Sequence, residues 1–321
     1  MKPIEELLQL SNKEFESLSP SERKAYYERL RDHCSRIKPV KRDITFSQRL
    51  IEKANPKIRK FDYDLRGIEN LPKEGAVLVV NHSNSHDIIN MIEVLSSMDK
   101  KNSVLITREG LSPIILKLFR EANTTIMDRF DKTKSRESVY ELSSKVLDNN
   151  TAVIFGEGTW NLHPIKPMQN IHIGAAKVAA ITERPVIPTI MEYIEQLTLC
   201  EKEKELYKKC IIHFGKPVTI SEEESLIPQT EKIQEEMEKM RRQIWYENWI
   251  KRDSIDDINP ILYINHSWLK EYDGLADGFD AEIENRAFYS QDGSLPENEY
   301  YLDEYGNFVP GTIPKKSLIK K

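Results

Sequence analysis

The chain has 321 residues, 39% apolar and 31% charged, with a formal net charge of −5. That length can bury one substantial core plus extensions, and the absence of any run of about 18 apolar residues argues against a membrane-spanning helix. The start Met1-Lys2-Pro3-Ile4-Glu5-Glu6 has no apolar signal-peptide region, and three widely spaced cysteines, Cys34, Cys200 and Cys210, argue for a reduced, cytoplasmic setting without a disulfide framework or zinc site.

In chain order, residues 1–60 are expected to form a basic helical extension. Ile4, Leu7 and Leu8 mark a first helix, and Ser19-Pro20-Ser21-Glu22 opens a second with a capping residue and a proline in its first turn. From Leu30 to Lys60 the chain carries 10 Lys/Arg against 3 Asp/Glu. Such a stretch fits docking on an anionic bilayer, or simply a solvated helix face. Nucleic acid fits less well, because aromatics are not interleaved with the cations and no nucleic-acid module is readable.

From Phe61 to Ile220 strands and helices alternate. Ala76 to Val80, Val104 to Ile106, Val153 to Phe155, Val186 to Ile190 and Ile211 to Phe214 read as strands. Ile88 to Leu95, Ser135 to Leu147 and Ala175 to Ile181 read as helices, giving an α/β core. The apolar segment Leu111 to Arg120 could lie at a membrane interface, line an acyl groove, or be a core helix. Glu222 to Lys251 reads as a long polar helix packing through Met237, Met240, Ile244, Trp245 and Trp249. The remainder, about residues 253–321, is acidic, aromatic and turn-rich, and Ala287-Phe288-Tyr289 is expected to pair with Glu299 to Leu302 across Asp292-Gly293.

Chemistry concentrates in Asn81-His82-Ser83-Asn84-Ser85-His86-Asp87, directly after the apolar run Ala76 to Val80. A histidine backed by a carboxylate can take a proton from a hydroxyl and be steadied as it becomes positive. On one regular helix, residues five apart would point about 140° away from each other. The pair therefore requires His82 in a turn and Asp87 in the first turn of the next helix, and Ser83, Asn84 and Ser85 are suitable turn residues. A second block, Val153 to Asn161, ends an apolar run in Gly156-Glu157-Gly158-Thr159. Its glycines let backbone N–H groups approach a ligand, where they can hold a phosphate or stabilise an oxyanion. Position 161 is Asn where a third glycine is expected, so Gly156-x-Gly158 is a weak dinucleotide signature. Taken singly, each block has a plainer reading: Asp87 as a helix cap, and the glycines as a strand-to-helix turn.

Four blocks in order carry a resemblance: His82 with Asp87, then Asp128-Arg129, then Phe155-Gly156-Glu157-Gly158-Thr159, then Val186-Ile187-Pro188. Over about residues 60–220 the chain resembles the glycerolipid acyltransferase superfamily, best known from lysophosphatidic acid acyltransferases. Two positions depart from the family pattern. Gly156 replaces a proline, and Trp160 replaces the arginine that helps hold the acceptor's phosphate; His172 or Lys177 could substitute for it, and Arg129 remains a phosphate candidate. An indole in place of a bidentate cation also fits an uncharged or sugar-like acceptor.

The resemblance implies a mixed central sheet flanked by helices, with the catalytic core at 61–220, a helix packed on it at 221–252, and extensions at 1–60 and 253–321. It implies acyl transfer from an acyl thioester, on coenzyme A or acyl carrier protein, to a hydroxyl of a lysophospholipid or related lipid acceptor. His82 would be the general base, with Asp87 fixing its tautomer. Arg129 and Glu157 would position the acceptor, and amides near Gly158 and Thr159 would face the oxyanion. His86 is a rival base in the same block, whereas His163 and His213 read as structural. No metal or redox cofactor is implied, and the expected place is the cytoplasmic face of an anionic membrane. Two other readings share the scaffold: a non-catalytic lipid- or partner-binding protein, and a thioester hydrolase.

Overall fold

A computed structural model describes residue 10 and residues 14–15, 17–38, 61–83, 87–108, 113–158, 161, 167–195, 208–245, 247–248, 300–302 and 308–310. The first expected helix, most of the basic stretch, His86, Thr159, Trp160, His163 and most of the acidic tail lie outside the described residues.

Helix α1 (Pro20–Arg36) starts as its sequence requires. The Ser19 hydroxyl accepts from the Glu22 N–H, and the Glu22 carboxylate accepts from the Ser19 N–H at 2.9 Å, closing a capping box with Pro20 in the first turn. The elements that follow are β1 (Phe61–Arg66), β2 (Val77–Val80), α2 (Asp87–Ser97), β3 (Asn102–Thr107), α3 (Pro113–Glu121), β4 (Thr125–Met127), α4 (Lys132–Leu147) and β5 (Thr151–Phe155). The core then closes with α5 (Gly174–Thr182), β6 (Val186–Glu195), β7 (Lys208–Phe214) and α6 (Leu226–Trp245).

Seven strands form one sheet in the order β1-β7-β6-β2-β5-β3-β4. Every neighbouring pair is parallel except β6 and β7, so the sheet is mixed, as expected. The central strands read as continuous apolar runs because both of their faces are covered. Val77, Val79, Ala152 and Ile154 point to one face, with Leu30 of α1, Leu142 of α4, Ala176 of α5 and Met237 of α6. Leu78, Val80, Val153 and Phe155 point to the other, with Met91, Ile92 and Leu95 of α2. Phe119 of α3 joins this second face, so α3 packs at least partly on the core. No helix among the described residues is long and apolar enough to cross a membrane.

Pro188 lies inside β6 without breaking the sheet. The Val186 N–H donates to Val218 O, and two residues on Pro188 faces the same side. Pairing with β7 starts only at Thr189 opposite Phe214, so the missing N–H falls in a gap of the ladder.

Two expectations change. Residues 20–36 are part of the core rather than an appendage: Tyr27, Leu30 and Cys34 are buried in the larger cluster, and Arg31 bonds Ile181 O at 2.8 Å, Ala180 O at 3.2 Å and the Glu222 carboxylate. The long helix α6 starts at Leu226, not at Glu222. Glu222 is held by Arg31, while the Gln229 side chain folds back onto Ser221 and Ser225 and fixes the entry to the helix. Tyr300–Leu302 (β8) pairs with Phe308–Pro310 (β9) across residues 303–307. The expected partner Ala287-Phe288-Tyr289 lies outside the described residues.

Because α1 covers the sheet, Leu30→Ala is expected to destabilise the whole domain by about 2–5 kcal/mol. Urea denaturation followed by circular dichroism checks this. A loss confined to helix signal, with the main transition unmoved, would show α1 to be separable.

Candidate active site

The site residues emerge at one edge of the sheet, beyond the carboxyl ends of parallel strands. His82 follows β2, Arg108 follows β3, Arg129 follows β4 and Glu157 follows β5. β2 and β5 are neighbours in register, with Val80 opposite Phe155, so the two segments leaving them are held side by side. In open α/β sheets, ligands bind outside this end.

Asn81 sets the exit from β2. Its side-chain amide donates to Met191 O at 3.0 Å, and its carbonyl accepts from Met191 N–H at 2.7 Å. The amide thus extends the β2–β6 ladder by one step after the backbone has turned away. His82 then stacks on Phe155, ring centroids 4.3 Å apart. Its Nδ1 lies 2.8 Å from Asp87 Oδ2, and its main-chain carbonyl accepts from Asn161 N–H at 2.6 Å.

Asp87 is the first residue of α2 and is 0% exposed. Its Oδ2 accepts from His82 Nδ1 and from the Ser83 N–H at 2.8 Å, and its Oδ1 accepts from the Tyr193 hydroxyl at 2.5 Å. An ionised carboxylate only accepts, so Nδ1 carries the proton and the neutral imidazole's lone pair sits on Nε2. The turn-then-helix arrangement required by the five-residue spacing is therefore present.

Glu157 is only 2% exposed, and both of its oxygens are engaged by main chain: Oε1 accepts from His82 N–H at 3.0 Å and Oε2 from Gln169 N–H at 2.6 Å. This corrects the expectation that Glu157 meets the acceptor. It ties the His82 turn to the loop at 167–171. Burial pushes its carboxyl up to about 7, with the nearby Asp87 charge adding to the rise and the Arg241 cation opposing it. Arg241 also fixes that loop, donating to Pro167 O at 2.5 Å and to Glu192 at 2.7 Å, and Gln234 accepts from Ile171 N–H at 3.0 Å. Both come from α6.

The expectation for Gly158 changes too. Its N–H donates to Phe155 O at 3.0 Å, closing the turn after β5, so this amide is not aimed at an oxyanion. Gly158 has φ +66, and a Cβ there would come within 3.0 Å of the His172 ring, so glycine is required on both counts. Arg129 Nη1 donates to Gly158 O at 3.2 Å, which brings Arg129 to the site as expected. Of the two residues considered as substitutes for the family arginine, His172 lies against Gly158. Lys177 stands on α5 beside Arg136, its pKa pushed down to about 8 by burial and by that neighbouring cation. His213 lies on β7, its pKa pulled down by burial and by Arg66.

Sequence reasoning missed Tyr193, Asn90, Gln169 and Arg241. Asn90 had a signal: it is a polar residue on the apolar stretch of α2, three positions after Asp87 and so on the same helix face. Tyr193, Gln169 and Arg241 had none, since each reaches the site by tertiary packing.

Residues 62–192 match the protein-family model described as Acyltransferase. The matched segment holds His82, Asp87, Arg129 and Glu157. Among solved structures, the 1-acyl-sn-glycerophosphate (LPA) acyltransferase PlsC from Thermotoga maritima is similar, with a TM-score of 0.47 and 17% sequence identity, covering 63% of this chain and 79% of that one. No curated protein matches the chain.

The elevated Glu157 carboxyl makes a signed prediction. In the unfolded chain it titrates near 4.5 and in the folded one near 7, so the native state binds the extra proton between these values. This group's contribution to stability is therefore full below the unfolded value and is lost as pH rises through the folded one. Glu157→Gln removes the titration and one acceptor. Its destabilisation relative to wild type is expected to be greater at about pH 4.5 than at about pH 8, by roughly 2–3 kcal/mol. Denaturant melts at the two pH values check it, and an equal cost at both would remove the assigned shift.

Proposed function

We propose that the enzyme transfers a fatty acyl group from an acyl thioester, carried on coenzyme A or acyl carrier protein, to a hydroxyl of a lysophospholipid or related lipid acceptor. The observation that carries this reading is the 2.8 Å contact between His82 Nδ1 and the buried Asp87, at the sheet edge where ligands bind in α/β folds. His82 Nε2 takes the acceptor's hydroxyl proton while the oxygen forms a bond to the thioester carbonyl carbon. Asp87 stabilises the imidazolium that results. The tetrahedral adduct collapses with cleavage of the carbon–sulfur bond, and the thiolate leaves with the proton from the imidazolium. The scheme balances without a metal or redox cofactor. Arg129, with its planar fork of donors, suits an anionic group of acceptor or donor. His172, against Gly158, is a second group beside the same loop.

His82→Ala is expected to lower turnover about 100-fold to 10,000-fold with the fold retained. The assay is mass spectrometry of products from acyl-coenzyme A, or acyl carrier protein, and a total lipid extract. A new acylated lipid formed by wild type only supports the reading, and free fatty acid formed without acceptor supports the hydrolase instead. Near-normal turnover by His82→Ala would refute the mechanism.

The lipid acceptor brings a surface with it, and we assign the anionic, cytoplasmic face of a membrane. Phe130, in the turn between β4 and α4 at the same sheet edge as His82, is 87% exposed. Lys132 is an exposed cation near it, as are Arg108, paired with Asp128, and Lys134, paired with Asp128 and Asp131. An apolar ring among cations suits an anionic headgroup layer. Phe130→Asp is expected to weaken sedimentation with vesicles containing anionic phospholipid about tenfold, the loss of one buried aromatic side chain. Unchanged binding would move the docking surface elsewhere.

A further inference from the structure

Asp87 Oδ1 takes its hydrogen bond not from the acceptor-binding loops but from a phenol on the far strand β6. Tyr193 is fully enclosed between β1, β7 and α2, its ring 5.4 Å from that of Phe61. A phenylalanine would supply that packing. The hydroxyl is what needs explaining, because a buried O–H must be satisfied and here it is 2.5 Å from a carboxylate oxygen. Its proton has a set direction. Asn90 Nδ2 donates to the phenol oxygen at 3.0 Å, occupying it as an acceptor. The Met191 sulfur, 3.0 Å away, is a weak acceptor beside a carboxylate. The Asn90 carbonyl lies 3.1 Å from the Tyr63 hydroxyl, which is also 2.9 Å from Glu93. Asp87, Asn90 and Glu93 are spaced by three along one face of α2, so a single row of helix residues meets two tyrosines from β1 and β6.

We propose that Tyr193 is a positioning residue for acyl transfer: its hydroxyl, aimed by Asn90, holds the Asp87 carboxylate in the orientation that fixes the His82 tautomer and bears the developing imidazolium. Burial and the Asp87 charge keep the phenol protonated far above its ordinary range, so it remains a donor at any working pH. The Tyr193 hydroxyl on Oδ1 and the His82 and Ser83 donors on Oδ2 grip opposite ends of the carboxylate, so rotation away from Nδ1 would cost a hydrogen bond on each oxygen.

The proposal rests on His82 as base, and the test separates the two. The variants are Tyr193→Phe, Asn90→Ala and His82→Ala, assayed as the full chain for kcat and KM across pH. Tyr193→Phe is expected to lower kcat about tenfold or more, with KM changed less than about threefold, because hydrogen bonds to charged groups exceed neutral ones in strength. The acidic limb of its kcat–pH profile should move to lower pH, since a carboxylate that rotates away from Nδ1 holds the imidazolium less tightly. Glu157 and Cys210 also feel the Asp87 charge, and neither is bonded to the hydroxyl that this variant removes. Asn90→Ala should shift the limb the same way by less, and it carries the test if Tyr193→Phe does not fold. A fall in kcat with the limb unmoved would make the hydroxyl structural only and overturn the proposal, as would unchanged kcat. If His82→Ala itself retains turnover, the base assignment fails first, whatever Tyr193 does.

Discussion

A carboxylate removed from water must find donors for both oxygens, and Asp87 meets that demand at 0% exposure. The donors that answer it define the candidate active-site end of the molecule. The Ser83 amide requires the chain to turn sharply after β2, the His82 ring requires that turn to bring imidazole over the start of α2, and Tyr193 requires β6 to lie where it does. Glu157 repeats the same logic one strand away, with two main-chain amides on its two oxygens. Two buried acids, each tied to backbone, hold a loop that has little regular structure of its own.

The sheet makes this possible because its neighbours are parallel. β2, β3, β4 and β5 all end at one edge, so short segments from four separate places in the sequence converge without long loops. α6 then works from outside the strands, pinning residues 167–171 through Arg241 and Gln234. Its buried row Leu226, Ile233, Met237, Met240 and Ile244 explains why it stays there: the spacing presents one apolar stripe to the core.

Residues near one another in sequence were the readable ones. His82 and Asp87 could be paired because a strand, a turn and a helix start were each visible in the types of residue between Ala76 and Leu95. The capped start of α1 was readable for the same local reason. Glu157 and Gly158 were recognisable as present but not in their tasks: which amide a carboxylate meets is decided by Gln169 and His82 arriving from different loops, and that is tertiary information. Tyr193 is 106 positions from Asp87, and its contact depends on the register of β6 against β2, which no periodicity encodes. The partner Phe308–Pro310 of Tyr300–Leu302 was not readable for the same reason, since a short aromatic stretch does not name the strand that it meets.

The amide of Asn81 has a consequence for which covalent modifications the chain can carry. Asn81-His82-Ser83 and Asn123-Thr124-Thr125 both satisfy the acceptor pattern for N-linked glycans. In the folded protein both asparagines are buried, Asn81 bonded to Met191 and Asn123 to Asn102 O and Asn150. A sugar attached during synthesis would occupy the very nitrogen that joins β2 to β6 and would stand beside His82. A glycan on either asparagine is therefore incompatible with this sheet, because both side chains are already spent inside it.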